Sequence, residues 1–266
     1  MSNSSLVPLD CRLCKVRMEG VCNAVGAEHV AALNLLKGGV RGIPAGSYLF
    51  DQGDALEFVF ILHHGWTYTY LLLEDGRRQI IEFWLPGSVL GFLPAETDRA
   101  PFGCQSLTDV VVCSLPRRQL HRVIQENPDY GMGLASATKR DEILISDHLA
   151  SIGRRSARER VAHLLLELFC RARRRMPELS GDEVVLPLTQ PLIADAMGLT
   201  SIHVSRTLSK LRRDGIVMFK DRALRIMDPD KLSEVAGLDG EIAEQWIRGP
   251  VDSPMLTMAR KRLARR

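Results

Sequence analysis

The stretch "CRLCKVRMEGVC", residues 11–22, concentrates three of the chain's six cysteines at the spacing C-x2-C-x7-C. Thiolates so arranged suit soft metal centres, because a short C-x2-C loop can set two sulfurs on neighbouring irons or on one tetrahedral zinc. Three readings stand on these residues: an iron–sulfur site, a structural zinc site, or unrelated free thiols. Disulfides are disfavoured. The opening "MSNSSLVPLD" has no basic and apolar regions of a secretory signal, and cytoplasmic thiols stay reduced. Of the other cysteines, Cys170 follows the mostly apolar run Leu164–Phe169 and reads as core.

The 266-residue chain is long enough for about two domains, and 45% hydrophobic with 25% charged residues lets each bury a core. No apolar run approaches the ~18 to 20 residues of a membrane span, so a cytoplasmic protein with no membrane partner is expected. The net charge of +3 is unevenly spread: residues 151–175 carry eight arginines against two glutamates, and the tail "MARKRLARR" adds five basic groups. This local positive field suits a phosphate-bearing partner and equally a solvated helix face. P-loop, dinucleotide glycine fingerprint, nucleophile elbow and H-E-x-x-H pair are all missing, so no enzyme is expected. His63 and His64 alternate faces at a strand end and make a poor metal pair; a role in a turn is expected for them.

The elements that must position the cysteines follow. "GAEHVAALNLLKGG" reads as a short helix closed by glycine. The β-type runs "YLF", "FVFIL", "WTYTYLLL", "QIIEFWL" and "VVVCSLP" come next, separated by turn residues at intervals of about ten. That pattern predicts an antiparallel sandwich or barrel, with Asp75-Gly76 as the clearest hairpin signal. Pro116 opens a helical stretch to Pro128, and a long helix is expected from Asp129 to about Arg155. Thr138, Glu142, Ile145, Leu149 and Ile152 follow a 4-3-4-3 spacing, the stripe of a helix that pairs with another helix or packs on the chain's own barrel. A second helix, "ARERVAHLLLELFCRARRR", leads into a C-terminal module.

In "LTQPLIADAMGLTSIHVSRTLSKLRRDGIV", residues 188–217, two short helices flank a tight turn. Thr189 is an N-cap with Pro191 in the first turn, and Gly198 supplies the left-handed turn. Thr200 or Ser201 caps the second helix, on which Val204, Leu208 and Leu211 face inward. Ser201, His203, Ser205, Arg206, Ser209, Lys210 and Arg213 are left outward, small or polar residues first and basic ones behind, as a helix entering a major groove requires. "VMFKDRALRIM" adds two strands around a Lys220–Ala223 turn, completing a winged helix-turn-helix.

A β-roll, a long helix, "GRRSARERVAHLLLEL" and "LTQPLIADAMGLTSIHVSRTLSKLRRDGI" together resemble the bacterial CRP/FNR superfamily of transcription regulators, over roughly residues 26–235. The resemblance implies an α+β fold: a cyclic-nucleotide-binding-like β-roll (26–127), a dimerisation helix (128–155) and a winged helix-turn-helix (156–235). A cysteine segment (1–25) precedes these and an extension with a basic tail (236–266) follows. It implies a homodimer through Thr138, Glu142, Ile145, Leu149 and Ile152, on a two-fold symmetric double-stranded DNA operator, with RNA polymerase as partner. Thr189, Gln190, Thr200, Ser201, Ile202, His203, Ser205, Arg206 and Lys210 would face the DNA. The oxygen-sensing FNR branch adds a [4Fe–4S] cluster on an N-terminal cysteine group plus one β-roll cysteine. Here these would be Cys11, Cys14, Cys22 and Cys113, with Cys104 as the other distal candidate, and with zinc or no metal as the alternatives. Arg12, Lys15 and Arg17 would then lower the thiol pKa values and offset the cluster's charge.

Two departures mark the chain. FNR-type proteins usually carry "GLT-x-E-T-x-S-R", whereas here the run is "GLTSIHVSR", with Ile202 for the glutamate and His203 for the threonine. Isoleucine makes only apolar contact, for instance with a thymine methyl, so the family's half-site is not carried over, although Arg206 can still hold guanine bidentately. Lys210, Arg212 and Arg213 are expected on phosphates; Arg154, Arg155 and Arg158 are expected either there or in solvent. Glu142 would meet its own symmetry mate, a brake on dimerisation that cluster binding releases. The cyclic-nucleotide branch needs a glutamate after a glycine and an Arg–Ser pair; no carboxylate follows Gly91, and Arg99 stands beside Ala100 as a loop residue.

Overall fold

The computed structural model describes residues 10–18, 20–24, 30–93, 99–175 and 183–237. The basic tail after Met258 and the expected helix start at Gly26 lie outside them. The chain divides into two compact units, Met1–Ser146 and Asp147–Arg266.

In the first unit, three 3-10 turns carry the cysteine segment, Cys11–Leu13, Lys15–Met18 and Val21–Ala24, followed by helix α1, Val30–Leu36. Eight strands follow: β1 (Gly39–Ile43), β2 (Tyr48–Phe50), β3 (Phe58–His64), β4 (Thr67–Leu72), β5 (Arg78–Trp84), β6 (Val89–Leu90), β7 (Gly103–Ser106) and β8 (Val110–Pro116). They form two antiparallel four-stranded sheets, ordered β1-β8-β3-β6 and β2-β7-β4-β5. Side chains alternate across each strand. Phe60, Leu62, Val110 and Val112 point into the roll with Phe50, Trp84 and Cys104. Val59, Ile61 and Leu115 point to its outer side, against Val21, Val30 and Leu33. The Asp75-Gly76 hairpin forms as expected, with Leu73 N–H donating to the Arg77 carbonyl at 2.8 Å.

Helix α2 (Arg117–Glu126) leads into α3 (Pro128–Arg154), whose 27 residues rise about 40 Å at ~1.5 Å each. Tyr130 and Leu134, on its first turns, are buried in the same outer core as Val21 and Leu33.

In the second unit, α4 (Ala157–Arg175) begins at a reciprocal cap: Ser156 N–H donates to the Glu159 carboxylate at 2.6 Å, and Glu159 N–H to the Ser156 hydroxyl at 3.4 Å. Then come β9 (Glu183–Val185), α5 (Gln190–Met197), α6 (Ser201–Arg213), β10 (Val217–Lys220), β11 (Ala223–Ile226) and α7 (Pro229–Ala236). The wing is three-stranded, β10-β11-β9, one strand more than the expected hairpin. Among the described residues no helix is long and apolar enough to cross a membrane.

Candidate functional site

Cys113 sits mid-strand on β8, between Val40 of β1 and Ile61 of β3, and its side chain takes the outward-facing alternation. The cysteine segment covers that face. Cys11, Cys14, Cys22 and Cys113 line one cavity together with Arg17, Lys37 and His63. The four thiols come from stretches about ninety residues apart in sequence. They stand around the cavity wall, and among the described residues no three His, Cys, Asp or Glu side chains are close enough to hold a single metal ion. Of the two candidates for a distal thiol, the fold brings only Cys113 to the others. Cys104 is 0% exposed inside the roll and Cys170 is buried on α4, both as core residues.

Close contacts hold the segment on the roll and on α1. Gly20 lies on the turn at Gly87, where an added Cβ would come within 2.8 Å of the Gly87 carbonyl oxygen. On the other side, Cys11 N–H donates to the Asn34 side chain of α1 at 3.2 Å, and Lys37 Nζ stands 3.8 Å from the Cys11 sulfur.

The electrostatics differ from the sequence expectation. Arg12 does not serve the thiols: its guanidinium turns outward to Asp10, at 2.5 Å, because that carboxylate is its nearest neighbour in the same turn. Lys15's side chain lies outside the described residues. Arg17 does reach the cavity and lowers the Cys22 thiol, but as the smallest influence on it. Burial dominates instead. It pushes up Cys11 and Cys22, and takes Cys113 to about 11. The main opposing cation is Lys37, which sequence inspection did not single out: it follows α1 and reaches the thiols only through the fold.

His63 is likewise corrected. Leu62 pairs with Val112 and His64 with Val111, so His63 is the extra residue of a β-bulge inside β3 rather than part of a turn. It follows Ile61 onto the outer face and lines the cysteine cavity. Both its ring nitrogens are buried with no hydrogen-bond partner among the described residues, and burial, with His64 nearby, lowers its pKa. His64 is exposed.

The second unit builds the helix-turn-helix as expected. Thr189 and Thr200 cap α5 and α6, their hydroxyls accepting from Leu192 N–H at 3.4 Å and His203 N–H at 3.2 Å. Gly198 joins the helices at φ 62°, a left-handed conformation that glycine adopts without strain. Val204, Leu208 and Leu211 are buried, with Thr207 beside them. Gln190 on α5 and Ile202, His203, Arg206 and Lys210 on α6 are exposed, and Ser201 and Ser205 on α6 are half-buried. Two arginines expected on phosphates or in solvent are engaged internally: Arg155 with Asp147 at 3.2 Å, and Arg158 with Asp214 at 2.8 Å. Arg160 caps the end of α5, donating to the Met197 carbonyl at 3.1 Å. Arg154 stays exposed. Arg99 donates to the Gly53 carbonyl at 2.9 Å, bracing its loop.

The expected dimer stripe is the open face of α3. Thr138, Glu142, Ile145 and Leu149 are exposed, Leu149 at 70%, and Ile152 is half-buried. Glu142 carries its own counter-charge, Lys139 at 2.9 Å.

Comparison with known proteins gives the following. A Crp-like helix-turn-helix domain matches residues 159–235, and a cyclic nucleotide-binding domain matches residues 40–127. The transcriptional activatory protein AadR of Rhodopseudomonas palustris is 34% identical over 225 residues, 84% of this chain and 91% of that protein. The transcriptional activator protein FnrL of Cereibacter sphaeroides is 31% identical over 234 residues, 87% and 93% of the two chains. The solved structure of FixK2 from Bradyrhizobium japonicum is 27% identical with a TM-score of 0.67, over 75% of this chain and 98% of that one.

Proposed function

The chain belongs to the CRP/FNR family of DNA-binding transcription regulators, and within it we propose a cytoplasmic activator that senses oxygen or redox state through a [4Fe–4S] cluster held by Cys11, Cys14, Cys22 and Cys113. One observation carries this reading: four of the six cysteines, from two distant stretches, surround a single cavity. The donor set fits an all-thiolate cluster, whose ligands are spread over several irons, better than one zinc ion, whose four ligands must all lie about 2.3 Å from one point. When bound, such a cluster supplies iron centres that require the four thiolates and that react with oxidants.

The chain's own residues supply the rest. Cys113, on a strand paired on both sides, offers a rigid anchor to which Cys11, Cys14 and Cys22 tie the N-terminal segment. That segment packs in the core that also holds Tyr130 and Leu134, so its docking bears on the first turns of α3. Further along α3, Ile145 and Leu149 offer apolar surface to a second copy, with Glu142 near the axis as the opposing charge. Two copies then present α6 to a two-fold symmetric operator, Ser205 and Arg206 toward base edges and Lys210 toward phosphate, with RNA polymerase as the downstream partner.

The test is to purify the protein without air and assay iron, acid-labile sulfide and sedimentation before and after exposure to air. About four irons and four sulfides per chain are expected, with a dimer that dissociates on exposure. A colourless protein with one zinc per chain, or an oligomeric state indifferent to air, contradicts the reading.

A further inference from the structure

On the wall of the cysteine cavity, the polar side chain of His63 makes no hydrogen bond to the described residues. His63 is the unpaired residue of the β3 bulge, and it stands with Cys113 and Ile61 on the face that the cysteine segment covers. Both ring nitrogens are buried, and neither has a hydrogen-bond partner among the described residues. Leaving buried donors and acceptors unmatched is costly, and native structures keep such groups where something else completes them. A bulge is also a device for re-aiming one side chain while the strand's pairing resumes on either side. Apolar residues would serve that wall of the cavity better if it were only a packing surface.

Resting on the cluster reading above, we propose that His63 is a fifth, non-ligating contact to the cofactor, its ring N–H donating to a sulfur. A neutral imidazole always carries one N–H, so the donor needs no protonation change. Hydrogen bonds to cluster or cysteine sulfurs stabilise the more negative, reduced state and raise the reduction potential. His63 is therefore a positioning residue that slows oxidative loss, whereas the thiols hold the irons.

The experiment compares the parent, His63→Phe and His63→Gln, all purified without air. Iron and sulfide content, the reduction potential, the rate at which the visible absorbance bleaches in air, and the melting temperature are measured. His63→Phe is expected to keep parental iron and melting temperature, to shift the potential negative, and to bleach about fivefold faster, the factor that one ordinary hydrogen bond is worth. His63→Gln, which retains an N–H, is expected within about twofold of the parent. Parental potential and bleaching in His63→Phe overturn the proposal. So does equal acceleration in both variants, since the N–H would then not be the cause. Absence of iron from the parent itself refutes the cluster reading instead, and is read separately.

Discussion

Gly20 packs so closely on Gly87 that a Cβ at position 20 would stand 2.8 Å from the Gly87 carbonyl oxygen and 3.1 Å from its Cα. Backbone lies on both sides of this contact, so no side chain can swing away to make room. Gly20 also borders the cysteine cavity, two residues from Cys22. A side chain here must lift the cysteine segment from the roll and move Cys22 away from Cys113. Gly20→Val is expected to lose most of the iron bound anaerobically. The melting temperature of the iron-free protein should fall only by the equivalent of about 1 to 3 kcal/mol of overpacking. Iron assay and calorimetry on the same preparations check this.

On the proposed reading, the open face of α3 is where two copies pair. Leu149 is 70% exposed and Ile145 38%. Replacing either by aspartate places like charges across a two-fold axis in place of buried apolar surface. Leu149→Asp is expected to weaken self-association at least about tenfold, the equivalent of losing one buried leucine side chain, as measured by sedimentation equilibrium. Glu142→Ala is expected to act oppositely and to leave a dimer without iron. Because Lys139 already partners Glu142 at 2.9 Å, the gain expected from this substitution is a modest one.

On α6 the exposed residues are expected to divide by role. Arg206→Ala is expected to weaken specific DNA binding by about 1 to 3 kcal/mol and to relax preference at one base pair. Lys210→Ala is expected to weaken all sequences alike and to lower the salt slope by about one. Ile202→Glu restores a carboxylate that accepts from cytosine N4, so its selected half-site is expected to gain a cytosine. Selection from randomised DNA at two salt concentrations separates the three.

Asp147 is one buried contributor to the acid stability of the second unit. Burial alone would push its carboxyl up, but the hydrogen bond and charge of His163, then those of Arg155, outweigh burial and hold it below its ordinary value. A carboxylate depressed in the folded state stabilises above its unfolded pKa, and that contribution fades as pH falls through the folded one. With an unfolded value near 3.9, it is complete from about pH 5 upward. Asp147→Asn strands His163, 2% exposed, and Arg155, and is expected to cost about 3 kcal/mol at pH 7. The gap between variant and parent should close toward pH 3 in denaturation curves.

Much of this was readable from local signals. Thr189, Gly198 and Thr200 announce the helix-turn-helix because caps and left-handed turns are set by neighbours in sequence. The Asp75-Gly76 hairpin and the α3 stripe are equally local. Strands β1, β6, β7 and β9 were not anticipated: they span two to five residues, and β1 and β7 include glycine, so their pairing comes from distant partners rather than propensity. The same holds for the site. The C-x2-C-x7-C spacing marks three thiols, but Lys37, Asn34 and His63 join them only through the fold. Arg155 and Arg158 show the reverse case, a basic run whose members are absorbed by Asp147 and Asp214.

The most direct measurement of the central claim is iron and sulfide content, without air, in six single Cys→Ser proteins. Cys11→Ser, Cys14→Ser, Cys22→Ser and Cys113→Ser are each predicted to lose the cluster. Cys104→Ser and Cys170→Ser, altered only in core packing, are predicted to keep about four irons per chain. Full iron in Cys113→Ser, or its loss in Cys104→Ser with the fold intact, would contradict the account.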